Sequence, residues 1–197
     1  MKKRLTWIWI AALLAAGVTV NASAAMLTVS PQVASAPVGT SIAVDVLVSG
    51  LAAGAAPSLG AFDVDVAYDA GVLALTGVDF GTGLDVAGLG SLRGFVDSLA
   101  GTVNVFEVSL DDAATVDLLQ SGSFRLFTLL FDASAAGTSA LTLSINALGD
   151  AAGAALAADI TNSVVNVSAV PLPAAAWLLL SGFGGLGLVG RRRAAVR

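Results

Sequence analysis

Apolar and polar residues alternate with a period of two through the middle of the chain. Residues 42–48 place branched side chains at every second position, and residues 62–68 place Asp63 and Asp65 between apolar neighbours. This alternation is typical of a strand with one buried and one solvent-facing side. We therefore expect two strands here, with Asp63 and Asp65 in solvent.

Five further runs rich in branched and aromatic residues are separated by clusters of Gly, Asp, Asn and Ser. They cover residues 72–75, 103–108, 124–131, 141–145 and 164–167. Turn signals at this frequency predict an all-β fold, an antiparallel two-sheet β-sandwich. The core is expected to contain Phe62, Val64, Val66, Phe124, Leu126 and either Leu141 or Leu143.

The run at residues 124–131 is apolar on both faces apart from Arg125 and Thr128. That pattern predicts a central strand covered on both sides. Residues 51–60 and 149–159 are rich in Ala and Gly and are predicted to be loops. An Asp ahead of apolar residues in 111–119 predicts a short helix between strands.

The N-terminus has the three parts of an export signal. Residues 2–4 are basic, residues 5–20 are almost continuously apolar, and Ala22 and Ala24 are small residues at the two positions that a signal peptidase reads. We expect the first 24 residues to be a signal peptide, cleaved after Ala24 or Ala25. An N-terminal membrane anchor and a buried core helix are the alternatives.

The C-terminus carries a second apolar segment. Residues 174–190 are uncharged and follow two prolines, and the basic tail 191–197 closes the chain. A helix of this length spans roughly 26 Å, near the lower limit for a hydrocarbon core of about 30 Å. We expect a transmembrane helix at 174–190, with the arginines on the cytoplasmic side and the β-sandwich, residues 26–169, on the other side.

Charge is strongly segregated along the chain. All fourteen acidic residues lie between Asp45 and Asp159, where Arg93 and Arg125 are the only bases, so this region has a net charge of −12. Such a domain repels nucleic acid and anionic lipid, and we expect no nucleic-acid partner. The chain has no cysteine, so the exported fold is held together without disulfides.

The chain offers few groups for catalysis. It has no His and no Cys, which excludes Ser-His and Cys-His nucleophiles and the usual zinc ligand sets. Glu107 is the sole Glu, and with Asp111 and Asp112 nearby it could in principle serve a glycosidase. The alternative is that these carboxylates are solvated at a strand end and in a loop. We favour this alternative, and we expect that the protein is not an enzyme.

Asp63, Asp65 and Asp69 are the candidates for a cation site. Alternation places the first two on one face, and the third follows in the turn; carboxylate oxygens are ligands that Ca²⁺ accepts. The spacing lacks the glycine and the final Glu of a helix-loop-helix calcium site. We therefore expect solvated carboxylates and no resident cofactor, with calcium as the alternative.

The order of the strands and turns resembles the cohesin-like β-sandwich (jelly roll) of bacterial exported proteins. The matching positions are Val38-Gly39, Gly60-Ala61-Phe62 through Tyr68-Asp69, Val72-Leu73 and Ala136-Gly137-Thr138-Ser139. The resemblance covers residues 27–168 and implies a fold more than an activity. Cohesins proper bind dockerin modules through one sheet face.

The C-terminal segment resembles the PEP-CTERM sorting signal of Gram-negative bacteria. The matching residues are Val170, Pro171, Leu172, Pro173 and Ala174, followed by Arg191, Arg192 and Arg193. Leu172 stands where the family motif has Glu. The resemblance implies that residues 170–197 hold the protein in the membrane until a membrane-embedded cysteine protease, the exosortase, processes it. A simple single-pass anchor is the alternative.

Two functional classes are compatible with the sequence. The first is an exported, non-catalytic module of the cell surface or extracellular matrix. The second is a cohesin-like recognition domain for a specific protein or glycan, with or without calcium. No Trp and only one Tyr lie between Leu27 and Ser168, so the sequence lacks an aromatic glycan platform and favours the first class.

Overall fold

Two packed sheets form the domain. The computed structural model describes residues 24–99 and 101–170. The elements are β1 (Ala25–Pro31), β2 (Ser35–Pro37), β3 (Ser41–Ser49), β4 (Leu59–Ala67), β5 (Leu73–Phe80), β6 (Ser91–Leu99), β7 (Thr102–Ser109), α1 (Ala113–Leu119), β8 (Phe124–Ala133), β9 (Gly137–Asp150), β10 (Ala158–Thr161) and β11 (Ser163–Ser168). One sheet has the order β10-β1-β3-β8-β5, and the other has the order β2-β11-β9-β4-β7-β6.

The first two strands of the domain run beside its last two strands and in the same direction. β1 pairs in parallel with β10, and β2 pairs in parallel with β11, whereas all other neighbouring strands are antiparallel. Ala25 begins the first pair and Ser168 ends the second. Ala25 and Ser168 therefore lie at opposite poles of the sandwich.

The predicted all-β sandwich is confirmed, and so is its register. Alternate residues of β3 and β4 are buried between the sheets, as the period of two requires. The buried residues include Phe62, Val64, Val66, Leu126, Leu141 and Leu143. The rings of Phe62 and Phe127 stack across the core with centroids 5.8 Å apart. The short helix is also confirmed as α1, with Asp112 at its N-cap.

The strand predicted at residues 124–131 is central but is not covered on both sides. β8 lies between β3 and β5, yet Leu130 on its outer face is 40% exposed. Its apolar run has another cause: the register with β3 shifts at Val46 and Leu47, which leaves Leu126 as an extra, buried residue. Phe124 is half-buried at the strand's start rather than fully in the core.

Four strands of the structure are not among those predicted, and several strand boundaries differ. β1, β2, β6 and β10 were not predicted, and β9 extends well beyond the predicted residues 141–145. The two predicted loops are shorter than expected, because β4 already begins at Leu59, β9 continues to Asp150 and β10 begins at Ala158.

No helix within residues 24–99 and 101–170 is long and apolar enough to cross a membrane. Most of the predicted signal peptide, including Ala22, and the sorting segment from Pro171 onward lie outside the described residues. Ala25, next to the predicted cleavage site, is buried as the first residue of β1.

Candidate recognition face

The outer face of the six-stranded sheet carries exposed apolar side chains beside a group of carboxylate and amide side chains. Across the β6–β7 pair, Leu92 lies opposite Val108, Gly94 opposite Phe106, and Val96 opposite Asn104. Directly opposed residues of antiparallel strands share one face. Because the intervening residues of β7 point into the core, these pairs point outward.

Four apolar side chains on this face, together with Leu110 just beyond the end of β7, form what we call the apolar ridge. It consists of Leu92, Val96, Phe106, Val108 and Leu110. Leu92 is 63% exposed, Val96 48% and Leu110 58%. Phe106 lies across Gly94, since a Cβ atom added there would come within 2.8 Å of the ring's Cζ. Because Gly94 has no side chain, the Phe106 ring can lie over the edge strand.

Beside the ridge lies a polar strip made of Asp63, Asp65, Asn104 and Asn146. The Nδ2 group of Asn104 donates hydrogen bonds to Asp63 Oδ1 at 2.6 Å and to Asp65 Oδ1 at 2.8 Å. Asn146 Nδ2 also donates to Asp63 Oδ1, at 3.2 Å. The predicted shared face of the two carboxylates is confirmed. They are half-buried and hydrogen-bonded, however, rather than simply solvated.

Asp69 does not join this strip. Its Oδ1 accepts a hydrogen bond from the Gly71 amide at 2.8 Å, and its own amide donates to Ser139 Oγ at 2.9 Å. It therefore fixes the turn between β4 and β5. Within the described residues, no three acidic side chains are grouped so that they could hold a metal ion. The amide N–H groups of Asn104 occupy the space between the two carboxylates where a cation would lie.

The interpretation of Glu107 as a solvated residue is wrong. Its side chain is 1% exposed, its Oε1 accepts a hydrogen bond from Ser91 Oγ at 2.5 Å, and Arg93 Nη1 lies 3.8 Å away. Burial raises the pKa of Glu107, and this effect outweighs the lowering by Ser91 and Arg93; the nearby Asp85 raises it further. The guanidinium of Arg93 also stacks over the Phe80 ring at 5.3 Å.

Asp111 and Asp112 also have structural contacts. Asp111 is buried, and it accepts hydrogen bonds from the amides of Ala87 and Leu89, which tie down the loop before β6. Asp112 accepts from the Thr115 amide and hydroxyl at the start of α1. Each of these three carboxylates thus accepts hydrogen bonds from a different part of the chain. The structure does not bring them together around an open cleft.

Sequence reasoning did not identify the apolar ridge, although β7 contained a signal for it. Val103 and Val105 belong to the inward series of that strand, yet Phe106 and Val108 in the outward series are apolar as well. A strand that is apolar on both faces, next to an edge strand, presents one of those faces to solvent. Exposed contiguous apolar surface of this kind marks interaction sites.

Solved structures with the same fold are cohesin modules. A non-cellulosomal cohesin from the archaeon Archaeoglobus fulgidus is 21% identical, with a TM-score of 0.57 over 77% of this chain and 95% of that one. A type I cohesin from Clostridium thermocellum, solved in complex with a dockerin, is 13% identical, with a TM-score of 0.60 over 74% and 99%. A cohesin from scaffoldin B of Acetivibrio cellulolyticus, also in complex with a dockerin, is 22% identical, with a TM-score of 0.57 over 73% and 99%.

No protein-family model and no curated protein matches the chain. The described residues therefore have the fold of cohesin modules, as the sequence resemblance implied. At these identities the similarity defines the fold alone.

Proposed function

We propose that the chain is an exported, non-catalytic module that recognises a protein partner through the apolar ridge and the polar strip beside it. The observation that carries this proposal is a group of apolar side chains at one face of the six-stranded sheet, of which Leu92, Val96, Val108 and Leu110 are exposed and Phe106 is half-buried. Such a strip is costly to leave in water, and it provides the apolar core that a protein interface needs.

The other sheet carries a polar cluster across β3, β8 and β5. There Arg125 donates to Thr128 at 2.6 Å, Thr128 donates to Asp45 at 2.5 Å, and Arg125 pairs with Asp79 at 3.1 Å. These polar side chains on β3, β8 and β5 thus serve as hydrogen-bond and ion-pair partners for one another. The difference between the two faces favours the six-stranded sheet as the binding side.

The chemistry of the ridge favours a protein over a glycan partner. Four of its five members are aliphatic, whereas sugar rings are bound most readily on flat aromatic side chains. Asp63 and Asp65 add negative charge beside the ridge, in a region with a net charge of −12, so the partner surface should be basic or rich in amide groups. That cohesins of this fold have been solved in complex with dockerins supports a protein partner.

We place this module outside the cytoplasm, held first by its C-terminal segment and then processed near Val170 to Ala174. The last strand ends at Ser168, so the sorting motif begins two residues beyond the domain. At the other end, the Ala25 amide donates to the Ala157 carbonyl at 3.1 Å. Cleavage after Ala24 keeps β1 whole, and we propose that position for the signal peptidase.

Site-specific photo-crosslinking in the natural host tests the recognition proposal. A benzophenone amino acid at Val108 should yield a discrete crosslinked species, because this side chain is on the ridge. The same amino acid at Leu130 is the matched control, since the two side chains are 42% and 40% exposed on opposite sheets. Equal crosslinking from both positions, or none from Val108, would contradict the proposal.

Mass spectrometry of the envelope and medium tests the sorting proposal independently. The mature chain should begin at Ala25 and should lack Arg197. Replacing Pro171 and Pro173 with Ala should leave a membrane-held precursor. A mature protein that retains Arg197 would instead establish a simple anchor.

A further inference from the structure

A small cavity lies beside the apolar ridge, where β4 and β7 meet α1 and the turn after β9. Its volume is about 170 Å³. Val108 belongs both to the ridge and to the lining of the cavity, and it is exposed, so the cavity is reached from the ridge. The lining includes Gly60, Ala61, Val108, Asp111, Val116 and Asp150.

The floor of the cavity is apolar. Ala61 of β4 and Val108 of β7 are directly opposed and share the outer face of the sheet. Val116 of α1, which is fully buried, adds a third apolar side chain. Gly60 lets the turn after β9 approach closely, because a Cβ atom there would lie 2.6 Å from the Cα atom of Ala151. Strand, helix and turn thus form the walls together.

Two carboxylates line the same cavity. Asp111 is buried, and Asp150 is half-buried with its Oδ1 accepting a hydrogen bond from the Ala154 amide at 2.7 Å. The only two bases in the described part of the chain, Arg93 and Arg125, form their ion pairs with other acidic residues. No basic side chain of the described residues therefore pairs with the carboxylates of this cavity.

The size and charge of the cavity define the group that can fill it. Pockets for drug-sized ligands enclose about 300–1,000 Å³, whereas an apolar cavity of about 150 Å³ holds one benzene-sized molecule. The cavity therefore accommodates a single side chain. An apolar side chain would bury the two carboxylates without giving them a partner, which costs free energy. Lysine and arginine instead lay an apolar stem on apolar surface and keep a charged head at its rim.

We propose that this cavity binds one lysine or arginine side chain of the partner protein, with the stem on the apolar floor and the cationic head at Asp111 and Asp150. The inference rests on the proposed recognition through the ridge, and it adds an anchor residue to that recognition. A side chain held in a pocket contributes more to the affinity than the contacts around it.

Methyl NMR of the full chain, purified in detergent, tests this proposal without the natural partner. The probes are the N-acetyl methylamides of arginine and lysine, and that of citrulline is the neutral control with the shape of arginine. At constant ionic strength, a charged probe should shift the methyl signals of Val108 and Val116 in a saturable way. The signal of Val44 in the other sheet should not move. Citrulline should bind at least fivefold more weakly than arginine.

Three variants locate the binding. Asp150→Asn keeps an acceptor for the Ala154 amide but removes the charge, and it should weaken binding of the charged probe at least threefold. Asp159→Asn is the matched control, since it removes the same charge from β10 and should leave binding unchanged. Ala61→Leu fills the cavity without changing the charge and should abolish the shifts. Circular dichroism checks that all three variants are folded.

Equal binding of arginine and citrulline would overturn the proposal, as would the absence of saturable shifts with both charged probes. Equal effects of Asp150→Asn and Asp159→Asn would also overturn it, because they would indicate attraction by the overall charge. The outcome is separable from that of the recognition proposal. A discrete crosslink from Val108 together with failure of the charged probes would refute the cavity as an anchor site and would leave the ridge as the binding surface.

Discussion

Replacing Glu107 by Gln should make the domain more stable at neutral pH. Glu107 is a buried carboxyl, and its pKa is raised because burial penalises the charged form more than Ser91 and Arg93 favour it. Glutamine has nearly the same shape and keeps an acceptor for the Ser91 hydroxyl. The substitution removes the buried charge without opening a cavity.

The effect has a defined dependence on pH. In the unfolded chain Glu107 titrates near its ordinary pKa of 4.5, whereas in the folded protein it titrates at a higher pH. Below pH 4.5 the group is protonated in both states and costs nothing. As the pH rises from 4.5 to the folded pKa, the wild-type protein loses stability relative to Glu107→Gln, at up to about 1.4 kcal/mol per pH unit for one proton. Above the folded pKa the difference in stability is constant.

Urea unfolding of residues 25–170, followed by far-ultraviolet circular dichroism at several pH values, measures this difference. Asp159→Asn removes one surface carboxylate and controls for the change in net charge. We expect the free energy of unfolding of Glu107→Gln to rise above that of the wild type only as the pH increases. A pH-independent difference, or a variant that becomes less stable at neutral pH, would refute the assignment of Glu107 as a buried, destabilising charge.

Three further predictions concern the core and the polar strip. Phe62→Ala should lower the free energy of unfolding by about 3–5 kcal/mol, whereas Phe95→Ala, the same change at an exposed site, should cost less than about 1 kcal/mol; equal losses would contradict the assigned core. Asn104→Ala should cost about 1–2 kcal/mol in the same assay, because it removes the donor between two carboxylates, and an unchanged stability would show that these bonds are absent. Calcium should raise the melting temperature no more than NaCl at equal ionic strength; a saturable calcium shift that disappears when Asp63 and Asp65 are both changed to Asn would establish a cation site.

The strands that could be predicted are those with one buried and one polar face. In β4 the carboxylates of Asp63 and Asp65 alternate with buried residues, so the period of two fixed both the strand and its orientation. β6 contains Arg93, Gly94 and Asp97 and is exposed on both sides at the sheet edge, so no alternation marks it. In β9, Asn146 is an extra residue where the register with β4 shifts, and it interrupts the pattern in the middle of the strand.

The burial of Glu107 agrees with the alternation in β7 but not with the usual exposure of a carboxylate. Alternation from Val103 and Val105 places it in the inward series, but a lone carboxylate is usually solvent-exposed. What keeps it buried is the hydroxyl of Ser91 and the guanidinium of Arg93, both on β6. Because β6 was not predicted, its contacts with β7 could not be foreseen.

The most direct test of the account is the affinity for the partner obtained by crosslinking from Val108, measured by calorimetry with two matched variants. Val108→Asp introduces a charge on the apolar ridge, and Leu130→Asp introduces the same charge at equal exposure on the other sheet. If the ridge is the binding surface, Val108→Asp should weaken binding about 30-fold or more, the effect of losing a central contact of about 2 kcal/mol, while Leu130→Asp binds as the wild type does. Equal affinities of the two variants would contradict recognition through the six-stranded sheet.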